Sequence, residues 1–528
     1  MQEPWTIKLA VLDKRTKAFG QGYRQNIALL GGDSQEASYI LENYLKLNKS
    51  EEITFLHATT TYLGRKEFFK AVAFSLLNDF TQKTDSLDNL INYAGSSLSE
   101  TTTFIKDCLK KEDICFLDVL EVINKFINES NRRCVLIIEE FLGLSALFDN
   151  VYQDFSKFII LQRNCMIVLS SSFARDAERI ISGELNLLFG NFEKVLLDEK
   201  NYLDDFLYLK SLLEPLKTSP FFLSFFINQL GSNIIYYNLI TEAIKETYQS
   251  DDEESSIVSA IEQTLFSSET YFFQKFTKKI DFIKSNFKDF LPTLNLLFSL
   301  SQGYLRKKEL TSLGIYDSKD LNLRLQKLLD MNYIENLGNI YKIKDPLFSF
   351  WLTFIFKLHF SPAILNSEKR KMLYRKRLKE EIAVFKDEFF KDKLKKVMQL
   401  FSSFKNDSLH LGKTRYKLPT IENAKIISEP QKDFHLLIGE GKEIVFAGIK
   451  EKNVEDNDIF DFIEKGSNIK GKRVKKIFIS LDNLPTTARL IAKNNKLIIW
   501  DINDINRLLS IYNQPIVSCN IDYSSIAK

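Results

Sequence analysis

The sequence is poor in cysteine, histidine, glycine and proline. Its 528 residues include 5 cysteines, 4 histidines, 19 glycines and 10 prolines. No two cysteines form a Cys-x-x-Cys pair and none has a nearby histidine at zinc spacing, so a zinc site is not indicated. We expect reduced cysteines, several of them in the core, as in a cytosolic protein. Apolar residues make up 45% of the chain. Together with the low glycine and proline content, this fraction is typical of a globular protein.

Long hydrophobic runs are also missing. Residues Met1 to Lys14 alternate charged with apolar side chains and contain no continuous apolar segment of the kind found in a signal peptide. The most hydrophobic run, Pro346 to Phe360, is too short to span a membrane and contains Lys357 and His359. The sequence therefore predicts a soluble cytoplasmic protein without a membrane partner.

The two signs of charge nearly balance. The chain has 72 Lys and Arg residues against 69 Asp and Glu residues. Net charge therefore does not indicate a nucleic-acid partner, and only local basic clusters can do so. The length exceeds what one hydrophobic core organises, and it predicts about three or four domains.

The first two hundred residues predict an α/β domain. Helical segments separate five short apolar runs: Ile27–Leu30, Ile53–His57, Val135–Ile138, Met166–Leu169 and Val195–Leu197. Strands that alternate with helices favour right-handed crossovers and a parallel sheet that is buried on both faces. Ligands of such sheets bind beyond the carboxyl ends of the strands. We therefore place the candidate site at those ends.

The first of these strands runs into a degenerate phosphate-binding loop. Gly31 and Gly32 follow the strand, and the helix-opening positions are Glu36, Ala37 and Ser38. A working loop has Gly-Lys-Ser or Gly-Lys-Thr there, because backbone N–H groups wrap the phosphates, the lysine reaches the β/γ oxygens and the hydroxyl binds Mg²⁺. The candidate nucleotide-binding residues are thus Gly31, Gly32 and Ser38, without the phosphate-binding lysine.

Acidic and polar residues end the third and fourth strands. Glu139 and Glu140 follow an apolar run, as in the second nucleotide motif, where the first acid holds Mg²⁺ through water and the second polarises the attacking water. This pattern predicts Ser38 and Glu139 as metal ligands and Glu140 as the candidate catalytic base. Ser171, at the end of the fourth strand, is a candidate nucleotide sensor. The alternative is a buried strand that ends in two solvated carboxylates.

Residues Pro292 to Ile343 predict a winged helix-turn-helix. Two short strands around a Gly-Asn turn follow three helices, the third capped by Asp320: Leu294–Leu300, Lys307–Leu313 and Leu321–Met331. If the module binds DNA, Arg324 and Lys327 face the groove and Lys342 lies near the wing. The alternative is an interaction module whose third helix packs on the nucleotide-binding domain.

A basic run from Lys369 to Lys379 follows this module. It is dense enough to neutralise several phosphates, and such binding would depend steeply on salt. The alternative is a solvated linker helix whose charges pair with Glu380, Glu381 and the acids beyond. The sequence leaves both interpretations open.

The last hundred residues return to an α/β pattern. A strand that bears Asp433, a tight turn and a strand that ends at Lys450 resemble the core of PD-(D/E)xK nucleases, in which two acids bind Mg²⁺ and the lysine positions water. Gly448 occupies the position of the second acid. Glu451 is a poor substitute, because it points to the opposite side of a strand from Lys450. The sequence predicts a nuclease-like fold without nuclease activity.

The order of these motifs resembles the archaeal-type ATPases of the AAA+/STAND group. The resemblance extends over Phe19 to Phe360, and its matching segments are Asn26–Gly31, Glu140–Phe141, Leu187–Phe192, Thr218–Leu223, Asp345–Pro346 and Phe350–Trp351. It implies a P-loop ATPase with a helical lid, a winged helix and a C-terminal nuclease-like domain, with ATP and Mg²⁺ as cofactors and with self-association. The chain departs from this pattern at Glu36 and Ala37, and at Asn191, where many relatives have an arginine.

Five regions are predicted from this comparison of motifs. They are a P-loop ATPase-like domain (1–205), a helical lid (206–288), a winged helix-turn-helix (289–360), a basic helical linker (361–420) and a restriction-endonuclease-like α/β domain (421–528). The first hypothesis is an ATPase-like regulatory or scaffolding protein, with DNA and proteins as candidate partners. The alternative is a weak ATP-binding, ATP-hydrolysing switch that acts on nucleic acid, in which Arg65 or Lys66 supplies the missing positive charge. Whether the chain is an enzyme stays open at this point.

Overall fold

The structure divides the chain into two units. The computed structural model describes residues 9–48, 50–61, 64–185, 192–197, 201–359, 367–411, 414–429, 434–467, 474–482 and 484–517. Unit 1 comprises Met1–Glu199 with Asn233–Ile235, and unit 2 comprises Lys200–Ser232 with Tyr236–Lys528. In the part of the chain that the structure describes, no helix combines the length and the hydrophobicity that a membrane span requires.

Unit 1 contains a five-stranded parallel sheet. Its strands are β1 (Ile27–Leu30), β2 (Ile53–Thr59), β3 (Arg133–Glu139), β4 (Cys165–Ser171) and β5 (Glu193–Leu196). They are arranged in the order β2-β3-β4-β1-β5, and every neighbouring pair is parallel. The predicted fold class, α/β with a parallel sheet, is therefore confirmed.

Helices surround this sheet and bury the hydrophobic side chains of its strands. They are α1 (Ala10–Gly20), α2 (Ser34–Leu47), α3 (Arg65–Thr81), α4 (Leu87–Ala94), α5 (Ser99–Lys110), α6 (Phe116–Ser130), α7 (Leu144–Leu147), α8 (Val151–Leu161) and α9 (Ala174–Ser182). Every residue of β1 and β4 is buried, as expected for a parallel sheet that is covered on both faces. At the β2 edge, the N–H groups of Phe55 and His57 donate to Asp79 and Ser75 of α3 at 3.3 and 2.8 Å. These side chains protect the edge strand from pairing with another chain.

Unit 2 begins with helices. They are α10 (Tyr202–Leu212), α11 (Pro220–Leu230), α12 (Ile234–Thr247, whose first two residues belong to unit 1), α13 (Glu253–Ile261) with the π-helical turn Glu262–Phe266, and α14 (Tyr271–Asn286). Three further helices and a hairpin follow in the predicted order: α15 (Phe290–Ser301), α16 (Lys307–Ser312), α17 (Ser318–Asp330), β6 (Ile334–Asn336) and β7 (Tyr341–Ile343). The predicted cap of α17 is wrong, because Asp317 rather than Asp320 accepts the first N–H groups of the helix.

The rest of unit 2 is helical and then α/β. It contains α18 (Pro346–Trp351), the π-helical turn Leu352–Phe356, α19 (Lys357–His359), α20 (Ser367–Phe389), α21 (Lys393–Ser402) and the hairpin of β8 (Asp407–Leu411) with β9 (Thr414–Leu418). A second sheet follows, with strands β10 (Ile421–Glu429), β11 (Phe434–Gly441), β12 (Ile444–Lys450), β13 (Val474–Ser480) and β14 (Ile498–Trp500). Strands β10 to β12 are antiparallel and β12 to β14 are parallel. The helices of this part are α22 (Asp456–Ser467), α23 (Thr486–Asn494) and α24 (Ile502–Ile511).

A buried lysine on α21 ties two backbone segments of unit 2 together. Lys396 is 5% exposed, and its ammonium group donates to the carbonyls of Phe389 and Ile516 at 2.7 and 3.3 Å. Burial lowers the pKa of Lys396 to about 8. The cation is therefore less stable here than in the unfolded chain, where lysine titrates near pH 10.4.

We expect Lys396 to make the stability of unit 2 rise with pH. Between about pH 8 and 10, the unfolded chain holds a proton that the folded one has released, so unfolding becomes harder by about 1–3 kcal/mol across this range. Urea denaturation at several pH values measures the effect. Lys396→Met should abolish this part of the rise, whereas Lys395→Met, a change at an exposed neighbour, should preserve it. Identical pH profiles for the two variants would contradict the prediction.

Candidate functional site

The candidate site lies at the carboxyl ends of β1, β3 and β4. Strand β4 lies between β1 and β3, so the three ends meet at one edge of the sheet. Gly31 and Gly32 follow β1 with φ angles of +85° and +76°, which glycine adopts without a Cβ clash. The N–H of Gly31 donates to the carbonyl of Ser171 at 2.9 Å. The sheet thus brings the loop after β1 next to the polar end of β4.

The loop after β1 is too short to wrap a phosphate. The sequence predicts a helix that opens at Glu36, but α2 begins at Ser34. The Asp33 carboxylate accepts the N–H of Gln35 at 3.0 Å, and the N–H of Ala37 donates to the Asp33 carbonyl at 3.0 Å. These N–H groups serve the helix and its cap, whereas a phosphate-binding loop turns them toward its ligand.

Glu36 is buried inside unit 1. It is 5% exposed, and its Oε1 accepts the N–H of Ile234 at 3.2 Å. Ile234 is the first residue of α12 and belongs to unit 1 together with its two neighbours. A helix N-terminus favours an anion, because its first N–H groups lack partners within the helix. The Glu36 carboxylate therefore lies at the position where the loop motif has glycine. It contacts the N–H of Ile234, which is a group of the kind that binds anions.

We expect Glu36→Ala to destabilise this part of unit 1 by about 1–3 kcal/mol, because a buried N–H loses its acceptor. Glu36→Gln keeps an oxygen at the same place and should cost less than about 1 kcal/mol. Hydrogen exchange of the peptide that contains Ile234, read by mass spectrometry, measures both changes. If the two variants and the wild-type protein exchange at the same rate, the contact contributes nothing to stability.

Glu139 is held between two side chains. It is 4% exposed, the Ser38 hydroxyl donates to its Oε2, and its Oε1 is in hydrogen-bond contact with Nε2 of His57. Sequence reasoning missed His57, although it predicted the strand that carries it. The contact follows from the pairing of β2 with β3, which places His57 next to Ile137, two residues before Glu139, and the sequence carried no signal for it.

These contacts do not fit a magnesium site. Mg²⁺ binds oxygen ligands and keeps several waters. Both carboxylate oxygens of Glu139 already contact protein groups, and the Ser38 hydroxyl that is predicted to bind the metal donates to one of them. The geometry therefore does not support the predicted metal-binding role of Ser38 and Glu139.

Glu140 and Ser171 also have partners within the protein. Glu140 has a φ of +49°, and its Oε1 accepts the N–H of Ser172 at 2.9 Å. Burial raises the pKa of Glu140, although hydrogen bonds from Ser172 act in the opposite direction. The Thr60 hydroxyl donates to the Glu140 carbonyl at 2.5 Å, and Ser171 Oγ accepts the N–H of Phe173 at 3.1 Å. The candidate base and the candidate sensor thus both accept hydrogen bonds from backbone N–H groups that follow β4.

The basic residues considered as substitutes for the missing lysine are engaged elsewhere. The Arg65 guanidinium forms ion pairs with Asp113 and Asp149 at 3.0 and 3.1 Å. The ammonium group of Lys66 lies 3.5 Å from the Lys111 carbonyl. Arg65 is thus paired with two carboxylates outside the loop, and its role as a substitute for the lysine stays a prediction.

Some predicted residues lie outside the described part of the chain. These include Asn191, where relatives have an arginine, and Asp433, the first acid of the nuclease-like pattern. Residues 187–190, which belong to the matching segment that ends at Phe192, also fall outside it. Their predicted roles stay predictions.

Arg324 lies inside the three-helix part of unit 2. It is 9% exposed, and its guanidinium bonds to the Asp320 carboxylate at 2.8 Å and to the Thr293 hydroxyl at 2.7 Å. A further hydrogen bond of 2.8 Å goes to the carbonyl of Asp289. The prediction that Arg324 faces a DNA groove is therefore wrong, because its charge and its donors are used within the protein.

The two lysines predicted to contact DNA are half-buried. The ammonium group of Lys327 donates to the carbonyl of Asn286, and that of Lys342 donates to the carbonyl of Ser510. Lys342 belongs to β7, so one strand of the predicted wing contacts the last described helix, α24. The structure does not bring Arg324, Lys327 and Lys342 together on one exposed surface.

The region that is predicted to be nuclease-like lacks room for a second acid. Lys450 lies at the end of β12, and its ammonium group forms an ion pair with Asp458 at 3.1 Å. A Cβ atom at Gly448 would lie 2.6 Å from Cδ2 of Phe462 and 3.1 Å from Cζ of Phe434. Aromatic side chains therefore occupy the space in which the nuclease pattern places a carboxylate and its metal.

Comparison with known proteins gives no family assignment. No family model matches the chain. No curated protein matches it significantly. Among solved structures, a Walker-type ATPase of Pyrococcus abyssi is 15% identical with a TM-score of 0.49, covering 67% of this chain and 95% of its own. The Orc2 protein of Aeropyrum pernix is 8% identical with a TM-score of 0.40, and the match covers 71% of this chain and 94% of Orc2. Cdc6p of Pyrobaculum aerophilum is 10% identical with a TM-score of 0.34, and the match covers 72% of this chain and 96% of Cdc6p. At these levels of similarity, the comparisons carry no functional argument.

Proposed function

We propose that the chain is an ATPase-like regulatory or scaffolding protein whose nucleotide site is filled by its own side chains. The observation that carries the proposal is the buried Glu36 carboxylate, which accepts the N–H of Ile234 at 3.2 Å. The Glu36 side chain is thus bound to the backbone of the protein itself. The three-residue loop and the Asp33 cap support the same conclusion, because they leave no wrapped backbone for phosphates.

The charge of the site also disfavours a nucleotide. Asp33, Glu36, Glu139 and Glu140 are its acidic residues, and Ala37 stands in the position of the lysine. Like charges at short distance in a partly buried site repel each other strongly, because the effective dielectric constant is far below that of water. A triphosphate would add further negative charge, so binding requires a counter-charge that the loop does not supply.

A nucleotide-retention experiment tests this proposal. In a working ATPase, Glu140→Gln removes the base and should leave ATP bound after purification. We expect neither the wild-type protein nor Glu140→Gln to retain nucleotide, and we expect phosphate release to equal that of buffer. Retained nucleotide in Glu140→Gln would support the alternative function, a weak ATP-driven switch, and contradict ours.

We also propose nucleic acid as a partner of this scaffold. The support is the basic run from Lys369 to Lys379, which lies on the long helix α20. Such a run can bind a phosphate backbone without reading bases. Self-association stays a proposal based on the resemblance alone.

A further inference from the structure

The hairpin that is predicted to be a DNA-binding wing forms contacts within unit 2. Its turn pairs with β8: the N–H of Asn339 donates to the Ser408 carbonyl at 3.1 Å, and the N–H of His410 donates to the Leu337 carbonyl at 3.2 Å. Gly338 has a φ of +113°, and a Cβ there would lie 1.8 Å from the Ser408 carbonyl oxygen. The turn therefore acts as a short extra strand beside β8 and cannot also enter a groove of DNA.

A buried ion pair fixes this arrangement. The Arg306 guanidinium, just before α16, binds both carboxylate oxygens of Asp407 on β8 at 2.7 Å. The Tyr512 hydroxyl donates to the same carboxylate at 2.7 Å. Leu305 and Ile340 belong to the same hydrophobic core as the C-terminal sheet. The three-helix module and the C-terminal α/β part thus share one core. Because the hairpin is used in this contact, nucleic acid would have to bind to another surface.

Helix α20 offers a basic surface that is held rigidly. Tyr374, Leu378 and Ile382 are fully buried, so one side of the helix is anchored in unit 2. Phe385 packs on Phe221 and Phe225 of α11, with ring centroids 6.1 and 5.2 Å apart. The apolar side of α20 is therefore not available to a membrane, which an amphipathic surface helix would need.

The amino-terminal half of α20 carries a surplus of positive charge. Residues 368–377 contain six basic side chains: Lys369, Arg370, Lys371, Arg375, Lys376 and Arg377. Glu262 pairs with Lys371 at 2.7 Å and with Arg375 at 2.6 Å. Lys376 and Arg377 are exposed. The surplus positive charge covers an exposed stretch about three helical turns long, a length that spans several phosphates.

The carboxyl-terminal half of the helix is neutralised by acidic neighbours. Glu254 forms an ion pair with Lys386 at 2.5 Å. Lys379 and Lys386 lower the pKa of Asp252, after the larger effect of hydrogen bonds from Ser255, so both lysines lie near this acid. The positive surface therefore ends near the middle of the helix.

We infer that residues 368–377 of α20, rather than the winged module, contact nucleic acid through its phosphate backbone. The inference rests on the proposal that nucleic acid is a partner, and it specifies the residues and the mode of binding. Lys376 and Arg377 are both exposed and lie on the outer side of the helix. Because backbone contacts carry no sequence information, binding should be insensitive to base sequence and steeply dependent on salt.

Fluorescence anisotropy with a labelled DNA duplex of mixed sequence tests the inference on the full chain. We expect Lys376→Glu/Arg377→Glu to weaken binding at least about tenfold at 50 mM salt and to reduce the slope of log K against log salt by about 2. The matched control is Lys308→Glu/Lys319→Glu, which makes the same charge change at exposed positions of α16 and α17. This control should lower the affinity less than about threefold.

The possible outcomes separate the two surfaces and the two proposals. A larger loss in the Lys308→Glu/Lys319→Glu control would assign binding to the winged module and overturn the inference. Equal binding by all three proteins, or binding to phosphatidylserine vesicles in place of DNA, would overturn it as well. Circular dichroism melting shows that the variants are folded. ATP binding is measured separately on the same preparation. A negative result with DNA therefore does not contradict the proposal that the chain is a scaffold without bound nucleotide.

Discussion

Replacing Arg306 by leucine is expected to lower the free energy of unfolding of the C-terminal part of unit 2 by about 3–5 kcal/mol. The side chain of Asp407 has no solvent exposure, and Arg306 contacts both of its oxygens at 2.7 Å. Without the arginine, a buried carboxylate loses its charged partner and must either stay unpaired or take up a proton. Urea denaturation followed by the fluorescence of Trp500, which lies in the same core, measures the loss.

An exposed ion pair in the same cluster supplies the control. The ammonium group of Lys405 lies 3.0 Å from Glu309, but its side chain is 62% exposed. Lys405→Leu should therefore change stability by less than about 1 kcal/mol. Arg306→Leu/Asp407→Leu should recover part of the stability lost in Arg306→Leu, because it removes the isolated charge. Equal small effects of Arg306→Leu and Lys405→Leu would contradict the account of a buried anchor.

The same ion pair predicts sensitivity to acid. Burial by itself raises the pKa of Asp407, but hydrogen bonds from Arg306, the Lys405 N–H and Tyr512, together with the charge of Arg306, outweigh it, so the pKa of Asp407 lies below its ordinary value. A carboxylate with a lowered pKa contributes its stabilisation above the unfolded value and loses it as the pH falls through the folded value. Unit 2 should therefore lose stability below about pH 4, and Arg306→Leu should lose less of it there.

Introducing the missing nuclease acid as Gly448→Asp is expected to destabilise unit 2 by about 3 kcal/mol or more and to produce no nuclease activity. The new Cβ would lie 2.6 Å from Cδ2 of Phe462, so the aromatic packing must shift. Phe434, Phe446, Phe462 and Phe478 all belong to this core. The new carboxylate would then be buried among aromatic rings, which cannot solvate its charge.

Gly448→Ala separates the steric cost from the charge. It introduces the same Cβ without a carboxylate and should cost about 1–3 kcal/mol, as overpacked cores do. The difference between the two variants then measures the cost of burying the acid. Thermal melting and a plasmid-cleavage assay with Mg²⁺ check both variants. A stable Gly448→Asp protein that cleaves DNA would show that the site accepts a metal after all.

The strands were predictable because their hydrophobic signal is local. The predicted first strand, Ile27–Leu30, has the same bounds in the structure. Apolar runs between helices indicate parallel strands regardless of what the distant chain does. The start of α2 was not predicted, because the helix begins at Ser34 after the Asp33 cap, two residues before Glu36.

The contacts that decide the site were not predictable from the sequence. Glu36 meets Ile234 across 198 residues, and His57 reaches Glu139 across 82. Nothing in the local pattern of either residue indicates its partner. The same holds for two partners of Arg324, Asp289 and Thr293, which lie 35 and 31 residues before it in the sequence.

The central claim is that side chains of the protein fill the nucleotide site, and calorimetry tests it most directly. Titrating Mg-ATP into the wild-type protein should give no heat beyond dilution, which excludes a Kd tighter than about 100 µM. Glu36→Gly/Ala37→Lys, which restores the loop residues, serves as the comparison and should bind more tightly than the wild-type protein. Saturable binding of Mg-ATP to the wild-type protein with a micromolar Kd would contradict the account.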